Sequence, residues 1–333
     1  MPVPIVSILL LVWNNHEHLP TCLNALQAQT FQDFEIVLVE NGSANPGDLK
    51  DVRTNHPAFN IVIERQKTNV GFAAGNNIGA RLATGKWLAL LNVDAFPQPD
   101  WLESLLRAAD EHPQVGAFTS RQVQFHAPHL LDGAGDSYHI TGLAWRRFYN
   151  RSVQEYGLEG GEVFSACPAA AMYLREEFMR AEGFDEDYFS YFEDVDLGFR
   201  LRLQGQKCLY VPAAIVHHVG SASTGKRSDF SVHYGYRNMI WTFFKNMPSP
   251  LLWVFLPLHV FTVLFFMGYL SLRGQGGAIG RAVVDAMRGL PAVLEKRKNI
   301  QRGRKVSSWE LLRVMSTGLL EPYLEFIRRN KSQ

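Results

Sequence analysis

The stretch SYFEDVDLGFR, Ser190 to Arg200, sets Glu193, Asp194 and Asp196 close together, directly behind a run of aromatics. Three carboxylates so near one another repel if all are ionised. Two roles fit them: acidic residues opening a helix, where the macrodipole stabilises them, or a general base held in a pocket. Asp94 closes the apolar run LALLNVD. A carboxylate at the carboxyl end of a buried strand can hold a divalent cation bridging phosphate oxygens, although an Asx residue there also starts turns. Glu40, in VENGS, can accept hydrogen bonds from a base or ribose, beside an Asn-Gly pair that is itself a good turn former. In TNVGFAAGNNIGA, Gly71 and Gly75 let backbone approach a ligand, while Asn76 and Gly79 suit helix packing and capping equally well. His217 and His218 end a later apolar run. Imidazole can ligate a cation or stabilise a diphosphate, and a surface histidine pair is the plain alternative. No Gly-Lys-Ser/Thr follows the glycines, and no GxGxxG follows the first apolar run, so neither a P-loop nor a dinucleotide fingerprint is present.

The elements that must position these residues show in the hydropathy pattern. VSILLLVW and FEIVLVE flank a polar, helix-compatible stretch over 16–29, and FNIVIER and KWLALLNVD flank the helix candidate NNIGARLAT. Near-continuous apolar strands alternating with helices predict a mostly parallel sheet covered on both faces. Ligands bind such sheets outside the carboxyl ends of the strands. Asn14, Glu40, Asn41, Asn69, Asn92 and Asp94 therefore converge in space. DWLESLLRAADEHPQVGAF reads as helix then strand, and 122–162 as loops and short strands lining an acceptor cleft. SACPAAAMYLREEF resumes strand then helix, and SYFEDVDLGFRLRLQG reads as loop then helix, capped at Gly205. QKCLYVP and AAIVHHVGSAST follow as strand and loop.

From about Lys226 the character changes. HYGYRNMIWTFFKNMP is helical in pattern, and the apolar run that follows, about 250–272, has the length of a membrane helix. Pro257 and His259 interrupt it, which fits a kinked, re-entrant or interfacial helix as well as a span; a buried core helix is the third option. The basic run KRKNIQRGRK, Lys296 to Lys305, is either a solvated face or a contact with anionic lipid.

Composition sets bounds. With 333 residues, 47% hydrophobic and 20% charged, the chain can form one large α/β domain plus an appendage. A formal net charge of +1 gives no electrostatic case for nucleic acid. Cys22, Cys167 and Cys208 are widely spaced and form no CxxC pair, which fits a reducing compartment. The first apolar run lacks a basic leader and a small-residue cleavage site and reads as a buried strand.

Taken in order, SILLLVWNN, VENGS, NVGFAAGNNIGA, LLNVD, GFDEDYFSYFEDVDLGFRLRLQG, HHVGSAST and YGYRNMIWTFFKNMP resemble the family 2 glycosyltransferases of the GT-A fold. The likeness is greatest to the bacterial rhamnosyltransferase-like members that build lipid-linked surface polysaccharides, and it extends over nearly the whole chain. It implies a GT-A catalytic domain over 1–225 and a C-terminal helical, membrane-associated region over 226–333. Asp94 would bind a divalent cation, Mg2+ or Mn2+, with Asn92 standing where the family more often has Asp. Glu40, one methylene longer than the usual Asp, would bind nucleotide sugar together with Asn14, Asn41, Asn69, Gly71 and Asn76. Asp194 would be the general base and Glu193 would orient it or meet the acceptor. His218 would be a metal or diphosphate ligand, and Arg237 would balance phosphate charge. Asp196 and Arg200, four apart, keep a structural ion pair.

The implied reaction is a direct displacement with inversion at the anomeric carbon. It would run from a dTDP- or UDP-linked sugar, rhamnose being the family's commonest theme, to a lipid-linked saccharide at the cytoplasmic face of a membrane. A sugar nucleotidyltransferase is disfavoured because VWNNHEHLP offers neither glycine nor lysine after the first strand. A processive synthase is disfavoured by the lack of a QxxRW-type motif. A non-catalytic, membrane-associated nucleotide-sugar-binding protein of the same fold would show decay at Asp94, Asp194 or His218, and all three are intact.

Overall fold

Val, Ile and Leu fill β1 (Val6–Val12) and β2 (Phe34–Asn41), and both strands are buried almost throughout, as strands covered on both faces must be. In the computed structural model, which describes residues 3–45, 49, 52–53, 56–220, 228–318 and 320–325, β1 pairs in parallel with β2 and with β4 (Trp87–Asn92). β3 (Asn60–Gln66) extends β2, again in parallel. The sheet thus runs outward in both directions from β1, and a ligand crevice opens where the order switches, at the carboxyl ends of β1 and β4.

Beyond β4 the sheet becomes mixed. β11 (Ala170–Leu174) is antiparallel to both β4 and β6 (Ala117–Gln124), and β12 (Cys208–His218) runs parallel to β6. The short β5 (Ala95–Pro97), β7 (Leu131–Gly133) and β10 (Gly161–Val163) attach along these strands, and β8 (Asp136–Tyr138) and β9 (Ala144–Arg146) form a separate hairpin. QKCLYVP and AAIVHH, read from sequence as separate pieces, are one strand: the chain passes Pro212 in a register shift between Val211 and Ile215. A proline without an N–H is accommodated at such an irregularity.

Alternation along β1 feeds two layers. Ile8 and Leu10 pack with α1 (Leu19–Gln27) and α3 (Trp101–Glu111). Leu9 packs with α2 (Gly71–Leu82), α4 (Arg175–Arg180) and α5 (Glu193–Leu203). Gly205 follows α5 at φ +88°, the left-handed stop expected from sequence.

Further helices follow, among them α6 (Asp229–Asn246), α7 (Ser249–Leu272), α8 (Gly276–Arg302) and α9 (Ser308–Val314). They pack onto the sheet-bearing part, since Phe243, Met247, Leu252 and Leu311 share one cluster with Tyr138, Phe164 and Phe199. α7 is long and apolar enough to cross a membrane, yet it has a docked side. His259 donates from Nδ1 to the Thr141 carbonyl at 2.7 Å and stacks on Phe243 with ring centroids 4.0 Å apart. Trp253, Val254, Phe261 and Leu264, on its other side, are exposed. The basic run is divided as well. Lys296 pairs with Asp185 and Asp187, and Arg297 donates to the carbonyls of Phe244 and Met247 at the end of α6. These two residues face protein, and the lipid contact considered for the run does not extend to them.

Asp196 joins the two parts. It is fully buried, with Oδ2 taking Arg200 Nε at 2.9 Å and Oδ1 taking Lys245 Nζ at 2.7 Å and Asn246 Nδ2 at 2.7 Å. The helical ion pair expected from spacing is therefore half of a network between α5 and α6. Asp196→Asn leaves two buried cations undercompensated. It should cost about 3 kcal/mol or more, seen as a thermal midpoint lowered by roughly 6 °C or more. Asp187→Asn, at a site 57% exposed, should move the midpoint far less.

Candidate active site

A cleft of about 610 Å³ opens at the carboxyl ends of β1 and β4, and Asp94, His218, Glu193 and Asp194 all border it. A second cavity of about 520 Å³ lies between α4, the loop after it and α8, where Lys245 and Lys296 are already paired with Asp185. Asp94, Glu193 and Asp194, singled out in the sequence, border the first.

β12 and β5 pair antiparallel with His218 opposite Ala95, which brings the imidazole beside Asp94. Asp94 Oδ1 and His218 Nε2 are 3.4 Å apart, and both side chains are buried. The pair is not aligned as a hydrogen bond, so Nε2 is buried without a hydrogen-bond partner among the described residues. On the far side of the ring, Nδ1 donates to Asp132 Oδ2 at 2.8 Å. Burial alone would lower the His218 pKa; the hydrogen bond to Asp132 and the nearby charges of Asp132 and Asp94 outweigh it and push it up to about 9. Burial would likewise raise Asp94, but its interaction with His218 holds the carboxyl below its ordinary value.

This pair fits a divalent cation. A carboxylate and an orphaned imidazole nitrogen face the same cleft, and a carboxylate orients the other ring nitrogen, as in metal-binding histidines generally. The described residues hold no cluster of three or more His, Cys, Asp or Glu able to ligate a metal. A cation here would therefore need oxygens from a substrate as well, which is how Mg2+ is commonly bound beside phosphates.

The second pair sits at the start of α5. Phe189, Tyr191 and Phe192 all have positive φ, between 62° and 69°. Such backbone is costly for aromatic residues, and Asn238 holds it by donating to the carbonyls of Tyr188, Ser190 and Tyr191. The turn delivers Glu193 and Asp194 to the cleft at a helix N-terminus, so the two roles offered by the sequence coincide. Glu193 is buried, and its Oε2 has no hydrogen-bond partner among the described residues. Burial first, and then the charge of Asp194, push its carboxyl well above the ordinary value. Asp194 is partly buried and accepts the Val195 N–H at Oδ1, 2.8 Å. Burial raises its pKa, against the opposing pull of that N–H and of Arg146.

Asn41, Asn69, Gly71 and Asn92 also border the cleft. Asn41 Nδ2 donates to Asn69 Oδ1 at 3.0 Å and to the Gly71 carbonyl at 3.2 Å, and its Oδ1 accepts the Val70 N–H at 3.0 Å. Gly71, at φ +91°, has no room for a Cβ because Phe189 O would lie 2.7 Å from it. The close approach expected there is thus to the strained turn before α5.

Four expected binders are placed elsewhere. Asn14 is exposed, and its Oδ1 accepts the Ala44 N–H at 3.0 Å. Glu40 is buried, and its Oε1 accepts the Ser43 N–H at 2.8 Å. Both fasten the loop after β2 and neither borders the cleft, which is met instead by Trp13 and Asn15. Asn76 turns back on α2, donating to the Phe72 carbonyl at 3.0 Å. Arg237 donates to the carbonyls of Asp187 (2.7 Å) and Tyr188 (3.1 Å) and lies over the Trp241 ring, 4.2 Å from its centroid. It supports the loop before α5 and does not line the cleft. The Ser221–Thr224 part of HHVGSAST falls outside the described residues.

Asp132, Asp136 and Arg146 border the cleft and were not singled out in the sequence. They lie in β7, β8 and β9, strands of three residues each, too short to show periodicity. The available signal was the pair of acids in LDGAGDSY, each beside small residues and between apolar ones.

A sequence model described as Glycosyl transferase family 2 matches residues 7–180, just over half of the chain. The chain is 27% identical over 178 residues to EpsH of Bacillus subtilis, which is named as a glycosyltransferase; the match covers 46% of this chain and 49% of that protein. It thus spans about half the length of that relative. It is 28% identical over 251 residues to an N-acetylglucosaminyl-diphospho-decaprenol L-rhamnosyltransferase of Mycobacterium tuberculosis, covering 67% of this chain and 78% of that one. Among solved structures, the mannosyltransferase PcManGT of Pyrobaculum calidifontis, in complex with GDP-Man and Mn2+, superposes with a TM-score of 0.55 at 14% identity, covering 91% of this chain and 86% of that one.

The state of Glu193 has a measurable consequence. Its folded pKa lies above its unfolded one, so its burial opposes folding at neutral pH, and this penalty disappears as the pH falls below the ordinary Glu range. Glu193→Gln should therefore raise the thermal midpoint at pH 7, by about 2 °C or more, and give little gain near pH 4. Equal gains at both pH values would show that ionisation of Glu193 is not the cause.

Proposed function

Because the chain belongs to glycosyl transferase family 2 and has the GT-A fold, we propose that it moves a sugar, with inversion, from a nucleoside diphosphate to a hydroxyl of a lipid-linked saccharide. One observation supports this above the others: the strand-end pair Asp94–His218 and the helix-start pair Glu193–Asp194 border the same cleft.

Asp194 accepts the proton of the acceptor hydroxyl as that oxygen bonds to the anomeric carbon and the bond to the diphosphate oxygen breaks. Burial raises its pKa toward the range a general base needs, and Arg146 opposes that rise. Glu193, whose burial favours the protonated form, donates a hydrogen bond to Asp194 or to the acceptor. Asp94 and His218 would hold a divalent cation, which would offset the negative charge developing on the leaving diphosphate. Asn92 hydrogen-bonds beside it, and the Asn41–Asn69 network keeps the donor side of the cleft in shape.

The name of the mycobacterial relative supports a lipid-linked acceptor and rhamnose as the sugar moved; the donor in this reading is a dTDP- or UDP-linked sugar. The exposed apolar side of α7 supports work at a membrane surface, on the cytoplasmic face, where sugar nucleotides are made. Excluding water from a closed cleft limits donor hydrolysis.

Calorimetric titration with dTDP, UDP and GDP, with and without Mn2+ or Mg2+, tests the donor side. One nucleotide should bind in a metal-dependent way, and Asp94→Ala should abolish the dependence. Asp194→Asn should lower transfer by about 10²–10⁴-fold while nucleotide affinity stays within about twofold. An equal loss of binding would remove Asp194 from the base role. In the parent protein the rate should fall as the pH drops through the raised pKa of Asp194.

A further inference from the structure

A smaller cavity, about 200 Å³, adjoins the cleft and shares Ala144, Trp145, Phe192 and Gly235 with it. Its remaining wall is largely apolar: Leu143 before β9, Tyr236 and Met239 of α6, Phe266 of α7, and Pro322, with Glu325 as the one carboxylate. Met239 and Phe266 are each 1% exposed, so these walls are fixed by packing. Phe266 belongs to the same helix that exposes Trp253, Val254, Phe261 and Leu264 on its other side. The helix that exposes an apolar face on one side thus closes, with its buried side, an apolar cavity that adjoins the cleft bordered by Asp194. A sugar has no use for a largely apolar cavity, whereas an amphiphile whose polar head occupies the adjoining cleft does.

We propose that this cavity binds the first, phosphate-proximal carbons of the acceptor's hydrocarbon chain, holding its saccharide in the cleft. The proposal rests on the lipid-linked acceptor of the preceding section and adds the site where the lipid is gripped. A cavity of roughly 150 Å³ lined by apolar residues accepts benzene, so this one accommodates a short branched stretch of chain, and the rest remains with the membrane. The occupant is an acyclic prenyl or alkyl chain carrying a phosphate.

Gly235 makes a clean test. A Cβ built there meets no atom within 4 Å, although the residue borders both cavities. It lies in the interior of α6, where replacing glycine favours the helix. Gly235→Leu therefore fills open space without forcing the fold apart, and an unchanged or raised thermal midpoint confirms that it folds.

The full chain, parent and variant, is titrated with a 15-carbon prenyl phosphate below its micellar concentration and with a four-carbon alkyl phosphate. The nucleoside diphosphates are titrated on the same samples. The parent should bind the long chain at least about tenfold more tightly, the factor expected from burying roughly two methylene groups. Gly235→Leu should reduce that preference by about tenfold. Equal affinity for both chains in the parent overturns the proposal. So does a long-chain preference that survives Gly235→Leu, because the chain then sits elsewhere, on the exposed face of α7. Failure of the parent to bind any nucleoside diphosphate is a separate result: it removes the transferase reading, whatever the lipid titrations show.

Discussion

The structure depends on the neutralisation of Asp196. Three acids open α5, and burying all of them uncompensated would not be tolerated. Asp196 takes the two nearest cations, Arg200 on its own helix and Lys245 on α6, and these hold its pKa below the ordinary value despite complete burial. Among the described residues no cation forms an ion pair with Glu193 or Asp194, and burial pushes both upward. One turn of helix thus holds one carboxylate whose pKa is lowered and two whose pKa values are raised. The environments differ because Asp196 points at α6 and the other two border the cleft. Environment, not residue type, assigns the roles.

The opposite end of the site follows a similar logic of alternating charge. Asp94 and Asp132 flank His218, and Asp132 Oδ2 also accepts from Arg146 Nη1 at 2.5 Å. Arg146 in turn lowers the pKa of Asp194. A path of contacts and fields connects the strand-end pair with the helix-start pair through β7 and β9. The ring of His218 is fixed by Asp132, so its other nitrogen faces the cleft without needing a protein partner. That geometry makes an orphaned buried nitrogen tolerable.

Much of this was legible in the sequence, for reasons that differ between elements. The apolar runs of β1, β2 and β4 are buried on both faces, so hydropathy alone locates them and their carboxyl ends. Asp94, His218, Glu193 and Asp194 were found because each terminates or begins a strongly patterned element. Asn14, Glu40, Asn76 and Arg237 have the same polar chemistry, but their partners are backbone groups of neighbouring loops or of their own helix, and a one-dimensional pattern does not show which way such a side chain turns. Asp132, Asp136 and Arg146 were missed because three-residue strands show no period and gain their positions from long-range pairing, as β7 does on β6.

α7 shows how far composition goes and where tertiary contacts take over. Its apolar sequence fits a span, a core helix or an interfacial helix equally well, because all three bury hydrocarbon. The deciding features are polar. His259 is buried with its Nδ1 on the Thr141 carbonyl, and Thr262 Oγ1 lies 3.2 Å from the Tyr323 hydroxyl. Each contact fastens one side of the helix to the protein and leaves the other side apolar and uncovered. A helix held in this way contributes half its surface to the fold and offers the other half to an apolar phase. The side it gives to the fold includes Phe266, which lines the cavity beside the cleft. His259, which interrupts the apolar run in the sequence, is the residue whose Nδ1 fastens that buried side to the Thr141 carbonyl.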